Sequence, residues 1–377
     1  MDPPAKKVRL TDHFRVALRP RDINQTQLDH KQQVTTLAKD VATNPNRDIR
    51  KSNASNGNNN TNNNNNNNTN KNNNNHTSIR NYLVKFVPPV LNQIHDFDRT
   101  QLNNVFFEPF YAADSFEYDR IREIKFRSFW PDWADNRMSQ SRREELVDWL
   151  VDTQVRFDLD HEPLYMAVKL VDQYLMKKQP AEEDYELLFM VSMLIAAKFD
   201  ERIPPFTIAR LIQTTYSRFG IRYTRKQVVS FEVDLLTTLQ FDIRFPLSYG
   251  FLRRFARCTR SDTQTLYLAR YILESSLMDQ EMIEVIESKL AAGSLLLAFN
   301  MLHKSGAWDD TARFYTGYNE KELNTLALSL HNMIRKYSRK KTAIRKKYSH
   351  EPYMAVARIV DKVPVGNESS SFIHSYR

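Results

Sequence analysis

Leu187–Ala197 reads LLFMVSMLIAA, and only Ser192 interrupts its apolar run. A helix that is apolar on every side has no face for water, so it belongs at the centre of a bundle. It is too short to cross a bilayer, which takes roughly 20 apolar residues. Lys198 follows at once, a cation at the negative end of the helix dipole. A second rod of the same kind, Leu290–Met301 (LAAGSLLLAFNM), lies in the C-terminal half of the chain.

Several function classes are excluded by what accompanies the rods. Seven glycines occur in 377 residues, and no two are placed for a phosphate-cradling loop or a dinucleotide fingerprint. Neither a nucleophile elbow nor a kinase catalytic loop is present. No catalytic residue is therefore assigned, and the chain is not expected to be an enzyme. Cys258 is the single cysteine, which excludes an intrachain disulfide and any zinc site built on several cysteines, and suits a reducing compartment. The nine histidines show no pair at helical ligand spacing, so neither a metal nor another cofactor is expected. No secretory signal or membrane span is recognised, and no membrane partner is expected. A net charge of +9 favours acidic partners without bearing on fold.

Residues 1–100 are poor in apolar side chains, and Asn53–Asn75 is mostly asparagine. Such a tail buries too little surface to offset chain entropy and is expected to be disordered. Residues 101–137 bring Phe106, Phe107, Phe110, Tyr111, Phe116 and Tyr118 close together, read as an extension helix that docks on the domain or on a partner. From residue 138 the text is helical. Ser141-Arg142-Arg143-Glu144 reads as a capping box, continued by Leu146, Trp149, Leu150 and Val151. Leu164–Leu175 and Glu183–Phe199 follow. Pro204-Pro205 precedes a fourth helix, and Thr224–Gln240 carries Val228, Phe231, Leu235 and Leu239 on one face. Residues 138–245 thus form one bundle. Pro246 marks a boundary, and residues 246–362 repeat the pattern with Tyr249–Arg257, Asp262–Met278, the second rod and Glu320–Lys336. A short tail, 363–377, closes the chain. The fold class is all-α: two five-helix bundles in tandem after a disordered, Asn-rich tail. Arg335–Lys347 is dense in Lys and Arg; a helix face, an import element and a surface for an acidic partner are all open readings.

Particular stretches resemble the cyclin box. They are Arg143-Glu-Glu-Leu-Val-Asp-Trp-Leu150, Leu164-Tyr-Met-Ala-Val168, Leu194-Ile-Ala-Ala-Lys-Phe-Asp-Glu201, Pro204-Pro205 and Leu239-Gln-Phe-Asp242. Ser248–Cys258, Lys289–Ser294 and Lys347–His350 resemble the mitotic B-type cyclins, nearest the "B-three" subtype. The resemblance covers about residues 105 to 362. It implies that Arg143 and Asp172 form an internal ion pair between the first two helices and that Leu187 is a core residue. It implies that Lys198 and Glu232 contact a kinase, surrounded by Phe199, Leu236 and Phe241. The partner so implied is the catalytic subunit of a mitotic cyclin-dependent kinase, activated allosterically to drive G2/M progression. A substrate-docking patch would include Leu146 and Trp149, but the family's methionine and isoleucine positions hold Arg142 and Glu145, charges expected to weaken apolar capture.

The tail carries two further resemblances. Arg15-Val-Ala-Leu-Arg-Pro-Arg-Asp-Ile-Asn24 resembles a destruction box, in which Arg15 and Leu18 fit and Asn24 comes one residue late. It implies recognition by the anaphase-promoting ubiquitin ligase. Pro4-Ala-Lys-Lys-Val-Arg-Leu10 resembles a nuclear import signal through Lys6, Lys7 and Arg9, implying an import receptor and nuclear localisation with possible shuttling. The competing reading is a transcription-type cyclin-fold protein that binds another kinase or DNA. Promoter-binding relatives of this fold carry an N-terminal zinc ribbon, and no cysteine precedes Cys258, so nucleic acid is not expected.

Overall fold

A computed structural model of the chain describes residues 97–100, 109–129, 138–200, 206–304 and 306–361. Among these residues there is helix and turn but no strand. Helices α1 (Phe97–Thr100) and α2 (Pro109–Lys125) precede a first bundle. That bundle consists of α3 (Gln140–Arg156), α4 (His161–Leu175), α5 (Tyr185–Asp200), α6 (Ile208–Phe219) and α7 (Arg225–Thr238). A second bundle repeats it with α8 (Ser248–Cys258), α9 (Thr263–Ser276), α10 (Glu287–Met301), α11 (Asp310–Thr316) and α12 (Glu320–Ser338). Two short helices, α13 (Ala343–Tyr348) and α14 (Ala357–Asp361), follow. The tandem all-α expectation therefore holds.

The two rods are where the apolar runs require them. Every residue of α5 from Tyr185 to Ala197 is buried, and α10 is buried continuously from Leu290 to Phe299. Each fully buried Leu, Phe or Met contributes about 1.5–3 kcal/mol of transfer free energy, so the rods anchor one core that runs through both bundles. Gly293 lets α10 approach α12 closely: a Cβ there would come within 2.8 Å of Leu326 Cδ2.

Local signals set the helix ends, with corrections. The first bundle begins two residues earlier than the Ser141 box implied. Ser139 is the N-cap, accepting from the Arg142 backbone N–H. Glu144 turns instead to Gln140, Tyr337 and Lys340. At α7 the capping box is real, with Thr224 and Gln227 bonded reciprocally. Gly220 ends α6 at φ +73°, the left-handed position that favours glycine. Helix α11, the fifth of the second bundle, was not located from the sequence; seven residues are too few to show a period. Helix α1 lies just before the extension read from residue 101, and its Asp98 forms a two-point ion pair with Arg254 at 2.8 and 3.2 Å. Residues 1–96 lie outside the described residues.

Buried polar groups join the bundles. The Arg143 guanidinium grips Asp172 through two bonds of 2.6 and 3.1 Å, which tie α3 to α4. Its Nε also donates to the Leu277 carbonyl at 3.0 Å, at the C-terminal end of α9. A second cluster surrounds Glu274, which is fully buried and accepts from Lys347 at 2.7 and 2.9 Å and from Tyr348 at 2.9 Å. Lys347 also donates to Gln154 of α3 at 2.8 Å. Burial works to raise the Glu274 pKa, but Lys347 and His161 outweigh it and hold the carboxyl at about 2. Part of the basic stretch 335–347 is thereby engaged within the chain: Lys347 is interior, and Lys336 and Lys340 pair with Glu144. Arg345 pairs with Asp361.

Two outcomes are expected. Arg143→Ala strands Asp172 in the core and should cost about 3–5 kcal/mol in denaturant melts; a loss below about 1 kcal/mol would refute the role. The folded pKa of Glu274 lies below its ordinary 4.5, so its contribution is complete above that pH and is lost as pH falls toward 2. The urea midpoints of wild type and Glu274→Gln should therefore differ most near neutrality and converge in acid. Parallel profiles would contradict this account.

Candidate partner-binding face

The C-terminal turn of α5 is where the core rod reaches water. Ala197 is buried, whereas Lys198, Phe199 and Asp200 are exposed. Lys198 Nζ donates to Glu232 Oε1 of the neighbouring helix α7 at 2.6 Å. Their side chains are 44% and 15% exposed, and a pair this open to solvent contributes only ~0–1 kcal/mol to stability. The fold therefore has little need of it.

What surrounds the pair is apolar. Phe199 is 53% exposed and Phe241 68%. Helix α7 carries two apolar stripes. Val228 and Leu235 point into the core, while Val229 and Val233 face solvent, Val233 with 59% of its surface open. Leu236 is half-buried at the edge of the core, and Glu232 sits in the turn between these residues. The periodic reading found the inward stripe and the family resemblance named Leu236, but neither found Val229 and Val233. Their spacing to Leu236, i, i+4 and i+7, is the signal that could have identified them.

Phe241 is exposed by an unusual helix end. Backbone bonds from Phe241 to Leu236 (2.9 Å) and from Gln240 to Thr237 (3.0 Å) close a Schellman arrangement. The left-handed positions are held not by glycine but by Gln240 at φ +55° and Phe241 at φ +58°. Each costs about 1–2 kcal/mol relative to ordinary backbone.

Helix α2 borders the same face with exposed Tyr111, Tyr118 and Ile121. Tyr111 and Phe199 share a cleft of about 670 Å³ with Asp119, Glu162 and Arg254. Burial raises the Asp119 pKa, against the lowering pull of Arg244 and Arg122. Exposed apolar groups around a few central polar ones have the anatomy of a protein interface.

The other expected sites fall elsewhere. Leu146 and Trp149 are core residues, with Trp149 meeting Phe219 edge-on. Above them Arg142 binds Glu145 and Glu186 and lies over the Phe219 ring, so this face of α3 presents charge rather than an apolar patch. Leu187 is buried in the rod. Lys6, Lys7, Arg9, Arg15 and Leu18 lie outside the described residues. Among the described residues no cluster of three or more His, Cys, Asp or Glu could hold a metal ion, and no helix is long and apolar enough to cross a membrane.

Residues 115–244 match the family model for the cyclin N-terminal domain, and residues 246–362 match that for the cyclin C-terminal domain. A viral cyclin from herpesvirus saimiri shares the fold at a TM-score of 0.50 and 19% identity, over 58% of this chain and 95% of the viral one. Among characterised relatives, G2/mitotic-specific cyclin-B3 of Gallus gallus is 39% identical over 70% of this chain and 64% of its own length. The Caenorhabditis elegans cyclin-B3 is 36% identical over 70% of this chain and 69% of its own length. The Homo sapiens cyclin-B3 is 40% identical over 67% of this chain, which spans only 18% of that much longer protein. The chain belongs to the cyclins, within their mitotic B-type branch and nearest the B-three subtype.

Proposed function

We propose that this chain is the regulatory subunit of a mitotic cyclin-dependent kinase, which it binds and activates allosterically to promote G2/M progression. The observation that carries the proposal is the Lys198–Glu232 pair set among exposed Phe199, Phe241, Val229 and Val233. Such a face suits the movable regulatory helix of a kinase: the apolar side chains supply burial, and the polar pair fixes register. Preferential binding to the active arrangement of that helix shifts the kinase toward it. The helix glutamate is then brought to the lysine that holds the ATP phosphates. The cyclin contributes no reacting group, in keeping with the absence of catalytic signatures in its sequence.

The N-terminal segment gives this activity a lifetime and a place. Arg15 and Leu18 serve a destruction box read by the anaphase-promoting ubiquitin ligase, and Lys6, Lys7 and Arg9 bind an import receptor that brings the chain to the nucleus. DNA is not the partner in this reading, because Lys336, Lys340, Arg345 and Lys347 already have carboxylate partners within the chain.

Two experiments test the proposal. Purified mitotic cyclin-dependent kinase should phosphorylate a histone-type substrate with this chain and stay inactive without it. The Lys198→Ala/Glu232→Ala variant, with stability changed by only about 1 kcal/mol or less, should lose most of the activation. Activation that survives the double substitution would refute the site. In a mitotic-exit extract, Arg15→Ala/Leu18→Ala should persist while the unaltered chain is degraded; equal decay would remove the destruction box.

A further inference from the structure

The turn that exposes Phe241 does not hold its shape by backbone preference. Gln240 and Phe241 both occupy the left-handed region, where a side chain meets its own backbone unfavourably. Conformations of this kind persist where surrounding structure over-determines them. The next residue shows what does so. Asp242 accepts from Lys125 Nζ at 2.6 Å and from Arg122 Nη2 at 2.7 Å, both from α2. Arg122 also donates from Nε and Nη2 to the Arg244 carbonyl, at 3.2 and 2.9 Å. One guanidinium thus holds the strand of chain that leaves the turn at two points, either side of Ile243.

The clamp is itself held. The Arg122 guanidinium lies over the rings of Phe126 and Tyr118, at 4.8 and 5.5 Å, and the Arg244 guanidinium covers Tyr118 from its own side at 5.8 Å. Phe126 meets Phe245 edge-on at 5.0 Å. Helix α2 is fixed independently, because buried Glu123 accepts from the backbone N–H and hydroxyl of Ser288 at 2.8 Å each. That places a carboxylate at the N-terminal turn of α10, where the dipole favours it. Lys125 and Arg122 together hold the Asp242 carboxyl below its ordinary value. A single ion pair this exposed would do little. Two cations on Asp242 and the guanidinium bonds to the Arg244 carbonyl form a network instead.

We propose that Arg122, Lys125 and Asp242 are positioning residues: they hold the strained turn closed, and through it set the direction in which Phe241 meets a partner. The effect on binding rests on the kinase reading given above, whereas the hold on the turn does not. Helix α2 thereby acts on the partner face at a distance from its own exposed side chains. Loss of the clamp lets Gln240 and Phe241 relax to ordinary backbone, and the Phe241 ring leaves its bound direction.

The test uses the full chain carrying Asp242→Asn, Phe241→Ala, or both, with two measurements. Amide hydrogen exchange reads the turn without any partner. Asp242→Asn should speed exchange at Gln240 and Phe241 by about tenfold, in keeping with a local opening, and leave the α5 rod unchanged. Titration with the mitotic kinase reads the consequence. Asp242→Asn alone should weaken binding about tenfold, and less than about twofold once Phe241 is Ala, because the two act through one ring. Adding Gln240→Gly to Asp242→Asn should restore binding, since glycine adopts the left-handed position freely. Unchanged exchange in Asp242→Asn overturns the clamp, and so do binding losses that multiply independently of Phe241. Faster exchange in a chain that binds no kinase overturns the kinase reading and upholds the clamp.

Discussion

Arg143 is the interaction on which the rest of this structure depends. It rises from the first turns of α3, pairs in two-point geometry with Asp172 of α4, and donates its Nε–H to the Leu277 carbonyl. That carbonyl lies at the end of α9, where helix acceptors have no intrahelical donor. One planar group therefore fixes the crossing of two helices in the first bundle and satisfies a helix end in the second. Lysine could not do the same, since it lacks the rigid fork. Gln140 works beside it, bonding the Met278 carbonyl and the Gln280 N–H. With Glu274 and Lys347 below, the bundles share polar joints as well as an apolar core, and neither has a complete interior without the other.

Given that frame, the partner face follows from where helices end. Beyond Glu186 the α5 rod is apolar to Ala197 except for Ser192, so its next position for a charge is the turn in which it emerges. Lys198 takes that position. Helix α7 packs against α5 and brings Glu232 within reach, and its own end must turn sharply to reach the linker between bundles. The turn leaves Phe241 outside. A polar centre and an apolar rim thus arise at one edge of the first bundle from the packing of two helices.

Much of this was legible in the residues. The rods could be recognised because a run such as LLFMVSMLIAA has only one place to go. Lys198, Glu232, Arg143 and Asp172 could be named because whole stretches around them resemble a family. Other features depend on tertiary partners that no local pattern encodes. Lys347 reads as one more charge in a basic run, yet it is interior because Glu274, far away in the chain, offers a carboxylate there. Ser139 outcompeted Ser141 as a cap because Glu144 was engaged by α12. The family resemblance put Leu146 and Trp149 in a docking patch, but both are core residues, Trp149 against Phe219 of another helix. The left-handed Gln240 and Phe241 go against residue preference, and the Arg122 and Lys125 contacts beside them come from a helix far away in the chain.

The seating of α1 and α2 has a mechanical consequence. Tension applied from the N-terminal side enters the described structure through Asp98 on Arg254, then through Glu123 on Ser288 and through Arg122 and Lys125 on Asp242. The first two anchors load the second bundle, and the third pulls directly on the linker beside Phe241. None loads the α5 rod. A chain drawn out from that end would therefore be resisted first at the second bundle and at the linker, before any load reached the α5 rod.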